Sequence, residues 1–428
     1  MQTGRLLPLI AVLAFLAYLP VLSFPFISHS YVEIPLSIGY GNWHGLTALF
    51  ANPEFHCRLS YIFANAWIAK LFGFTPRPFY IASIVFHILC VCLVWGTGAW
   101  RKIGWKTSTW AAGFFAVYEG HQEAVMWLAG WPEMFLVLFG GGCFLCWVLW
   151  LQGGRRWLYA IACLLFVAAL FSKESACVFA LLLALPLIVE RALRPRGIRG
   201  IIPFLIAAAA YIAFIATGLR TNPHFQDGAF MLSANMPWNL LNSFGHMLFV
   251  WGLLALAFLL IVRARDTWRM AAISLAWMLI ALAPFGFLNS MNHVPSRQTY
   301  VASIGLAWLV GIAMAKLEER FSVRPAIGVA CIVVVVNIGI LWTKKRRQYM
   351  ERAQPTELLI QAVPKARGEI HLSCFPYSPV IAGAAVEYAH GKIVLDGPPE
   401  RIEKPHCLSF SYKDAFGNVH QTTVYTAI

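Results

Sequence analysis

Eleven apolar stretches separated by short polar turns constrain this chain more than any other feature. They fall near residues 6–27, 78–100, 108–119, 124–150, 157–171, 175–190, 200–219, 237–262, 270–288, 299–315 and 325–343. A run of about 20 apolar residues crosses a bilayer as a helix, because lipid offers the backbone N–H and C=O groups no other partners. Several runs are shorter, and these are expected to be tilted, broken or fused at their ends. Hydrophobic residues make up 59% and charged residues 12%, about half the charge of a soluble domain. The expected fold is an all-α polytopic membrane protein of about eleven transmembrane helices. The first stretch has no small-residue cleavage site and runs on into Phe24-Pro25-Phe26, so it reads as a span rather than a cleaved signal.

Lysine and arginine fix the expected orientation, since they collect on the cytoplasmic side. With the N-terminus inside, the inner turns hold Arg5; Arg101, Lys102 and Lys106; Arg155 and Arg156; Arg191, Arg194, Arg196 and Arg199; Arg263, Arg265 and Arg269; and Lys316, Arg320 and Arg324. The outer segments hold only Arg58, Lys70, Arg77, Lys173, Arg220 and Arg297. One basic run, Lys344-Lys345-Arg346-Arg347, falls outside; late positive charges weigh less on orientation than the first helices. The formal charge of +14 is then mostly inner-turn arginine facing anionic lipid. No zinc-finger spacing, RNP-like run or basic–aromatic stripe points to nucleic acid.

The outer loop 28–77 is the longest polar excursion. Ser28-His29-Ser30-Tyr31-Val32-Glu33 follows the first span directly. Later, Phe55-His56-Cys57-Arg58 opens a helical pattern through Leu59, Ile62, Phe63, Ala66, Trp67 and Leu71. Arg58, Tyr61 and Asn65 run along another side of it, so this helix is expected in the interface with its apolar side in lipid.

Three further outer turns carry ionisable groups. Tyr118-Glu119-Gly120-His121-Gln122-Glu123 places three of them within five residues, and a helical geometry puts Glu119 and Glu123 on one face. At mid-bilayer each charge would cost about 2.5–3.5 kcal/mol, so they are expected in water or a polar cavity. Glu133 follows nearby, after Trp131-Pro132. In Phe171-Ser172-Lys173-Glu174-Ser175, Ser172 and Glu174 suit a helix cap, and Lys173 suits a lipid-linked phosphate. Asn292-His293 and Arg297 precede another span, where Arg297 must pair with an anion or snorkel. The loop 220–236, with His224 and Asp227, has only turn signals.

Of ten cysteines, most lie inside spans as small apolar fillers. Cys143 and Cys146 have redox-motif spacing without the strand such motifs need. Cys374 and Cys407 lie beyond the last span and are free to pair if the tail is extracytoplasmic. That tail, 344–428, reads as a charged helix followed by short strands at Glu369–Phe375, Lys392–Leu395 and Cys407–Tyr412. Asp414-Ala415-Phe416-Gly417-Asn418 turns the chain into a last strand. The expected organisation is a transmembrane domain over 1–343 and a small α/β extracytoplasmic domain over 344–428.

Acids and cations together on the outer face suit transfer of a group from a lipid-linked phosphate. A carboxylate takes the acceptor's proton and the cations neutralise the leaving phosphate. The candidate catalytic residues are Glu33, Glu119 and Glu123; the candidate substrate-binding residues are Arg58, Tyr61, His121, Lys173, Glu174, His293 and Arg297. No set of histidines and acids has metal-ligand spacing, and metal dependence is left open.

Four stretches resemble the GT-C superfamily of polytopic glycosyltransferases, in its protein O-mannosyltransferase-like, lipid A aminoarabinose transferase-like and transmembrane mannosyltransferase-like branches. They are Arg58-Leu59-Ser60-Tyr61 through Lys70-Leu71-Phe72-Gly73, Gly120-His121-Gln122-Glu123-Ala124-Val125, Phe171-Ser172-Lys173-Glu174-Ser175, and Arg297-Gln298-Thr299-Tyr300 through Gly305. The resemblance implies an undecaprenyl- or dolichyl-phosphate-linked sugar donor, an outward-facing site in the bacterial inner membrane, and inverting transfer to a glycan, lipid or protein acceptor. This chain departs from the pattern in three ways. Ser28-His29 stands where an acidic pair is usual, Trp131 stands where relatives carry arginine, and helical repeats after the last span are missing. A non-catalytic GT-C-like protein that binds lipid-linked glycans is therefore the second reading. A transporter is the third, without the inverted repeat or mid-helix charges such folds show.

Overall fold

The computed structural model describes residues 3–52, 58–217, 235–288, 295–404 and 406–425. Each of the eleven apolar stretches contains helix, several with breaks, as at 24–27, Trp127 and 183–184. Among the described residues, six helices are long and apolar enough to cross a membrane: Gly4–Ser23, Pro76–Ala99, Leu128–Gly153, Arg191–Thr217, Arg265–Phe287 and Val323–Lys365. Leu59–Phe72, Arg156–Leu170 and Glu174–Val189 are shorter apolar helices. The expected span over 237–262 is two helices, Met236–Leu248 and Trp251–Ile261, bent by 73°. The break has a backbone cause: Val250 takes a positive φ of 67°, which a β-branched residue adopts only under strain. At the other extreme, the last span and the charged stretch after it form one 43-residue helix, continued through a π-turn at Leu341–Lys345.

The chain divides into two compact units. The first comprises Met1–Leu19, Leu46–Tyr61 and Ala82–Ile340. Its centre is the helix Ser303–Phe321, in which every residue from Ser303 to Ala315 is buried. Small residues allow that. A Cβ on Gly305 would lie 2.4 Å from the Ser274 carbonyl oxygen, and one on Gly311 would lie 2.5 Å from that of Thr107. Membrane helices associate by such close backbone approach, because burying apolar surface gains nothing against lipid. Around this helix Trp277 and Trp308 meet edge to face at 4.8 Å, with Phe144 at 4.9 Å from Trp277.

The second unit comprises Pro20–Gly45, Ile62–Ile81 and Leu341–Ile428. Its four-stranded sheet has the order β2-β1-β3-β4, from Lys392–Leu395 (β2), Glu369–Cys374 (β1), Cys407–Lys413 (β3) and Val419–Tyr425 (β4). β1 and β2 are parallel, which requires a crossover, and the helix Pro379–Tyr388 supplies it. β3 and β4 form the expected hairpin: Asp414 Oδ1 accepts from the backbone N–H of Phe416 and Asn418 at 2.8 and 2.9 Å. Cys374 and Cys407 are disulfide-bonded. Leu372, Phe375, Ile381, Val386, Leu408 and Phe410 make the core.

The outer loop is divided: 28–45 and 62–77 belong to this second unit, and Leu46–Tyr61 belongs to the first. Phe74 lies 4.8 Å from Phe26 and 4.7 Å from Tyr388, and the Tyr388 hydroxyl donates to the Phe74 carbonyl at 3.0 Å. Tyr31 donates to Glu357 Oε1 at 3.2 Å. Burial first, and then the Glu357 charge, push the Tyr31 phenol well above its usual pKa. The helix Leu59–Phe72 corrects one expectation. Tyr61, Ile62, Asn65, Ala66 and Ala69 are buried while Trp67, Leu71 and Phe72 are exposed. The buried side therefore carries the polar groups as well as apolar ones, and packing rather than polarity selects it.

Candidate functional site

Three short turns of the first unit build the candidate site. The first begins at Trp131, where Pro132 starts a brief helix to Phe135, its fixed φ suiting the first turn. This places Glu133 among the free N–H groups, where a carboxylate is favoured. A π-turn at Leu136–Gly141 follows. Glu133 is 1% exposed and forms an ion pair with Lys173, whose ammonium also lies 5.1 Å from the Phe285 ring centroid. Only Oε1 of Glu133 is engaged; Oε2 has no hydrogen-bond partner among the described residues.

Lys173 is the extended residue before the helical segment Glu174–Val189. Ser172 does not cap that segment. Its hydroxyl donates back to the Ala168 carbonyl at 2.7 Å and lies 2.7 Å from Ser60 Oγ, so the side chain is turned to the preceding helix, and Lys173 stands at the cap position instead. Ser60 also donates its backbone N–H to the Phe171 carbonyl at 3.3 Å. These bonds hold Arg58 beside Glu174, with Nε 3.8 Å from Oε1.

The third turn is Ser296–Thr299. Glu123 Oε2 accepts from the Arg297 backbone N–H and from Ser296 Oγ, both at 3.1 Å. The Arg297 side chain lies 3.9 Å from Glu123 Oε1 and 4.9 Å from the Trp127 ring centroid. Arg297 and Glu174 are both near enough to Glu133 to act on its charge. The three ion pairs are therefore neighbours, three cations and three carboxylates gathered about Glu133.

Arg58, Glu123, Lys173, Glu174 and Arg297 thus come together, around Glu133. Tyr61 is 2% exposed, with its ring 6.3 Å from Trp131, whose indole N–H donates to Ser83 Oγ. Glu119 and Glu123 have different surroundings, because a 3-10 turn at Glu119–His121 precedes the short helix Gln122–Met126. The Glu119 N–H donates to Asn337 Oδ1 at 3.0 Å. Glu33 belongs to the second unit, in the first turn of the helix Ser30–Tyr40. His293, Glu54, His56, His224 and Asp227 lie outside the described residues. Among the described residues, no three of His, Cys, Asp and Glu are grouped to hold a metal ion.

His121 lies in the core. Its Nε2 is 2.7 Å from Ser303 Oγ, and its ring packs 4.3, 4.5 and 5.2 Å from those of Phe115, Tyr300 and Tyr118. Burial, then the neighbouring His87, push its pKa well below the usual value, with the Phe115 carbonyl acting the other way. The folded state holds His121 neutral, so its contribution to stability is complete above pH ~6.5, the unfolded value. Below that the unfolded chain binds the extra proton, and each pH unit costs about 1.4 kcal/mol while the native ring stays neutral. Thermal unfolding between pH 8 and 5 should show this slope in the wild type and a shallower one in His121→Asn. Equal slopes would mean other groups set the acid limit.

No family model matches the chain, and no curated protein matches it in sequence. Solved structures do match in fold. ArnT from Cupriavidus metallidurans bound to undecaprenyl phosphate aligns with a TM-score of 0.56 at 13% identity, over 94% of this chain and 87% of that one. The apo form of the same protein gives 0.52 at 13% identity, over 95% and 90%. The Archaeoglobus fulgidus oligosaccharyltransferase in its apo form gives 0.51 at 13% identity, over 84% of this chain and 57% of that one. The chain thus spans little more than half of the archaeal enzyme and nearly all of ArnT. With its apolar helices, this likeness makes the chain an integral membrane protein with the fold of the GT-C membrane glycosyltransferases.

Proposed function

We propose that this protein transfers a sugar from a polyprenyl-phosphate-linked donor to an acceptor at the non-cytoplasmic face of the membrane. The observation that carries the reading is the cluster of Lys173, Arg58 and Arg297, each held against a carboxylate. The donor phosphate is to displace part of that pairing and take the cations as its own counter-charge. A lipid-phosphate ligand in ArnT, whose fold this chain shares, supports the same reading. The acceptor oxygen then attacks the anomeric carbon as the bond from that carbon to the phosphate oxygen breaks. The acceptor's proton passes to a carboxylate, and polyprenyl phosphate leaves with its added negative charge neutralised by Lys173 and the two arginines. Attack opposite the leaving group inverts the anomeric centre. Glu33 and Glu123 are the proposed bases, with Glu119 as a third candidate. The Cys374–Cys407 disulfide favours an oxidising compartment for the second unit, and the basic turns favour a cytoplasmic N-terminus.

The test is transfer of radiolabelled sugar from polyprenyl-phosphate donors in liposomes. Removing the base should cost about 10²–10⁴ in rate, so Glu33→Gln or Glu123→Gln should fall by that much. Wild-type rates in both variants and in Glu119→Gln would discard the assignment of bases. No turnover by the wild type with any donor would favour the non-catalytic, lipid-glycan-binding reading. That reading has one specific support, the pair Ser28-His29 where an acidic pair is usual.

A further inference from the structure

A second polar feature of the first unit lies among the arginine-rich turns, far in sequence from the ion-pair cluster. The ends of the helices Gly142–Gly153, Arg156–Leu170 and Arg194–Thr217 frame an open groove of about 530 Å³. It is lined by Trp150, Tyr159, Pro195, Arg196, Arg199 and Gly200, none of them acidic. Its floor is aromatic. The Trp150 and Tyr159 rings lie 4.6 Å apart, and the Tyr159 hydroxyl donates to the Gly200 carbonyl at 2.9 Å. Glycine is needed at 200, where a Cβ would come within 2.5 Å of the Trp150 ring.

One wall is a fixed cation. The helix Gly142–Gly153 ends at Gly154, in the left-handed region at φ 72°. Arg196 Nη1 donates to the carbonyls exposed there, Trp150 at 3.3 Å and Leu151 at 3.1 Å. Nε and Nη2 remain for another acceptor. Arg199 lies three residues on, on the same side of its helix, exposed, and with no hydrogen-bond or ion-pair partner among the described residues. Two guanidinium groups line the groove, that of Arg196 lying 6.0 Å from the Trp150 ring centroid, and no lining residue is an acid to balance them; they call for an anion. Beside them, Ile198 and Ile202 present 57% and 49% of their surface outward, an apolar strip suited to acyl chains. The volume lies within the range of small-molecule sites, and basic pockets between membrane helices suit anionic headgroups.

We propose that this groove binds an anionic phospholipid. Its phosphate would lie between Arg196 and Arg199, and its glycerol and upper acyl chain along Trp150 and Tyr159. The protein would then carry a lipid site separate from the proposed donor site, at the arginine-rich end of its helices. The experiment titrates delipidated full-length protein in detergent with dioleoylphosphatidylglycerol, dioleoylphosphatidylcholine or inorganic phosphate, reading thermal stability and bound lipid by native mass spectrometry. Phosphatidylglycerol alone should stabilise and be retained. Arg199→Gln should weaken its midpoint about fivefold, from the loss of one surface cation worth about 1 kcal/mol, and Arg196→Gln/Arg199→Gln by more than tenfold. Arg199 makes no hydrogen bond or ion pair among the described residues, so its loss leaves folding intact. Arg263→Gln, in another basic turn, should bind as the wild type does. Unchanged binding by Arg199→Gln, or an equal response to phosphatidylcholine, would overturn the proposal. So would stabilisation by inorganic phosphate alone, which would make the groove a plain anion site.

Discussion

Replacing Lys173 with alanine is expected to lower stability by about 3–5 kcal/mol, the usual result of stranding one partner of a buried ion pair. Glu133 is 1% exposed, while the Lys173 side chain retains 14% of its surface. The stranded charge in Lys173→Ala is therefore the buried carboxylate. The nearby Arg297 offsets only part of the loss, because it is already engaged by Glu123. The reciprocal change, Glu133→Gln, should cost less, since the lysine ammonium can turn toward water. Combining Lys173→Ala with Glu133→Gln should recover most of the stability, because no charge is left stranded. Transfer activity should not recover with it, as the phosphate has then lost its most central cation. Detergent-phase thermal unfolding and the liposome transfer assay measure the two effects separately. A Lys173→Ala variant as stable as the wild type would show that the pair does not hold these turns together. A stable, fully active double variant would remove Lys173 from the proposed chemistry.

The second large effect is expected in the second unit. The Cys374–Cys407 bridge closes a loop of 33 residues, and chain entropy alone assigns such a closure about 3–4 kcal/mol. The closure matters here because β1 and β3 are neighbours in space but are separated by the crossover helix and β2. Cys374→Ser/Cys407→Ser should unfold at a temperature lower by several degrees, and reductant should lower the wild type similarly. Limited proteolysis should first cut within 366–425 in the variant. Thiol labelling of unreduced protein should leave both cysteines unmodified. Rapid labelling of Cys374 in freshly isolated membranes would show that the bridge is not formed there.

The membrane helices were legible because the signal for them is local. A helix must satisfy its own backbone in lipid, so each apolar run carries its own evidence, and each of the eleven contains helix. The strands of the tail were legible for a similar reason: β1 alternates exposed and buried residues along its whole length, and Asp414 and Gly417 mark the hairpin turn. The break at Val250 was not legible. The nearest glycines, Gly245 and Gly252, stand away from the break, and the positive φ falls instead on the β-branched Val250, where only the surrounding packing holds it.

The site was legible in part. Arg58, Lys173 and Arg297 declared themselves as cations at the edge of apolar runs, where each needs an anion. Their pairing with Glu174, Glu133 and Glu123 joins residues up to 174 positions apart, which no local pattern encodes. Glu133 was the acid left outside the candidate set, although its signal was present: a carboxylate just after Trp131-Pro132, in the first turn of a membrane helix. Glu357 carried no such signal. It lies in a charged helix, and its bond to Tyr31 exists only because the loop after the first span meets the tail. His121 misled in the opposite direction, since a histidine between two glutamates reads as polar until tertiary packing encloses it in aromatic rings.

The sequence by itself determined that this chain crosses a membrane many times and ends in a small strand-rich unit, because hydrophobic length and residue alternation act over neighbouring residues. Only the tertiary structure decided which carboxylate each cation meets, and that Pro20–Gly45 and Ile62–Ile81 form one compact unit with the tail. Charges and aromatic rings choose partners by distance in space, and three turns from separate parts of the chain supply that distance only once the helices have packed.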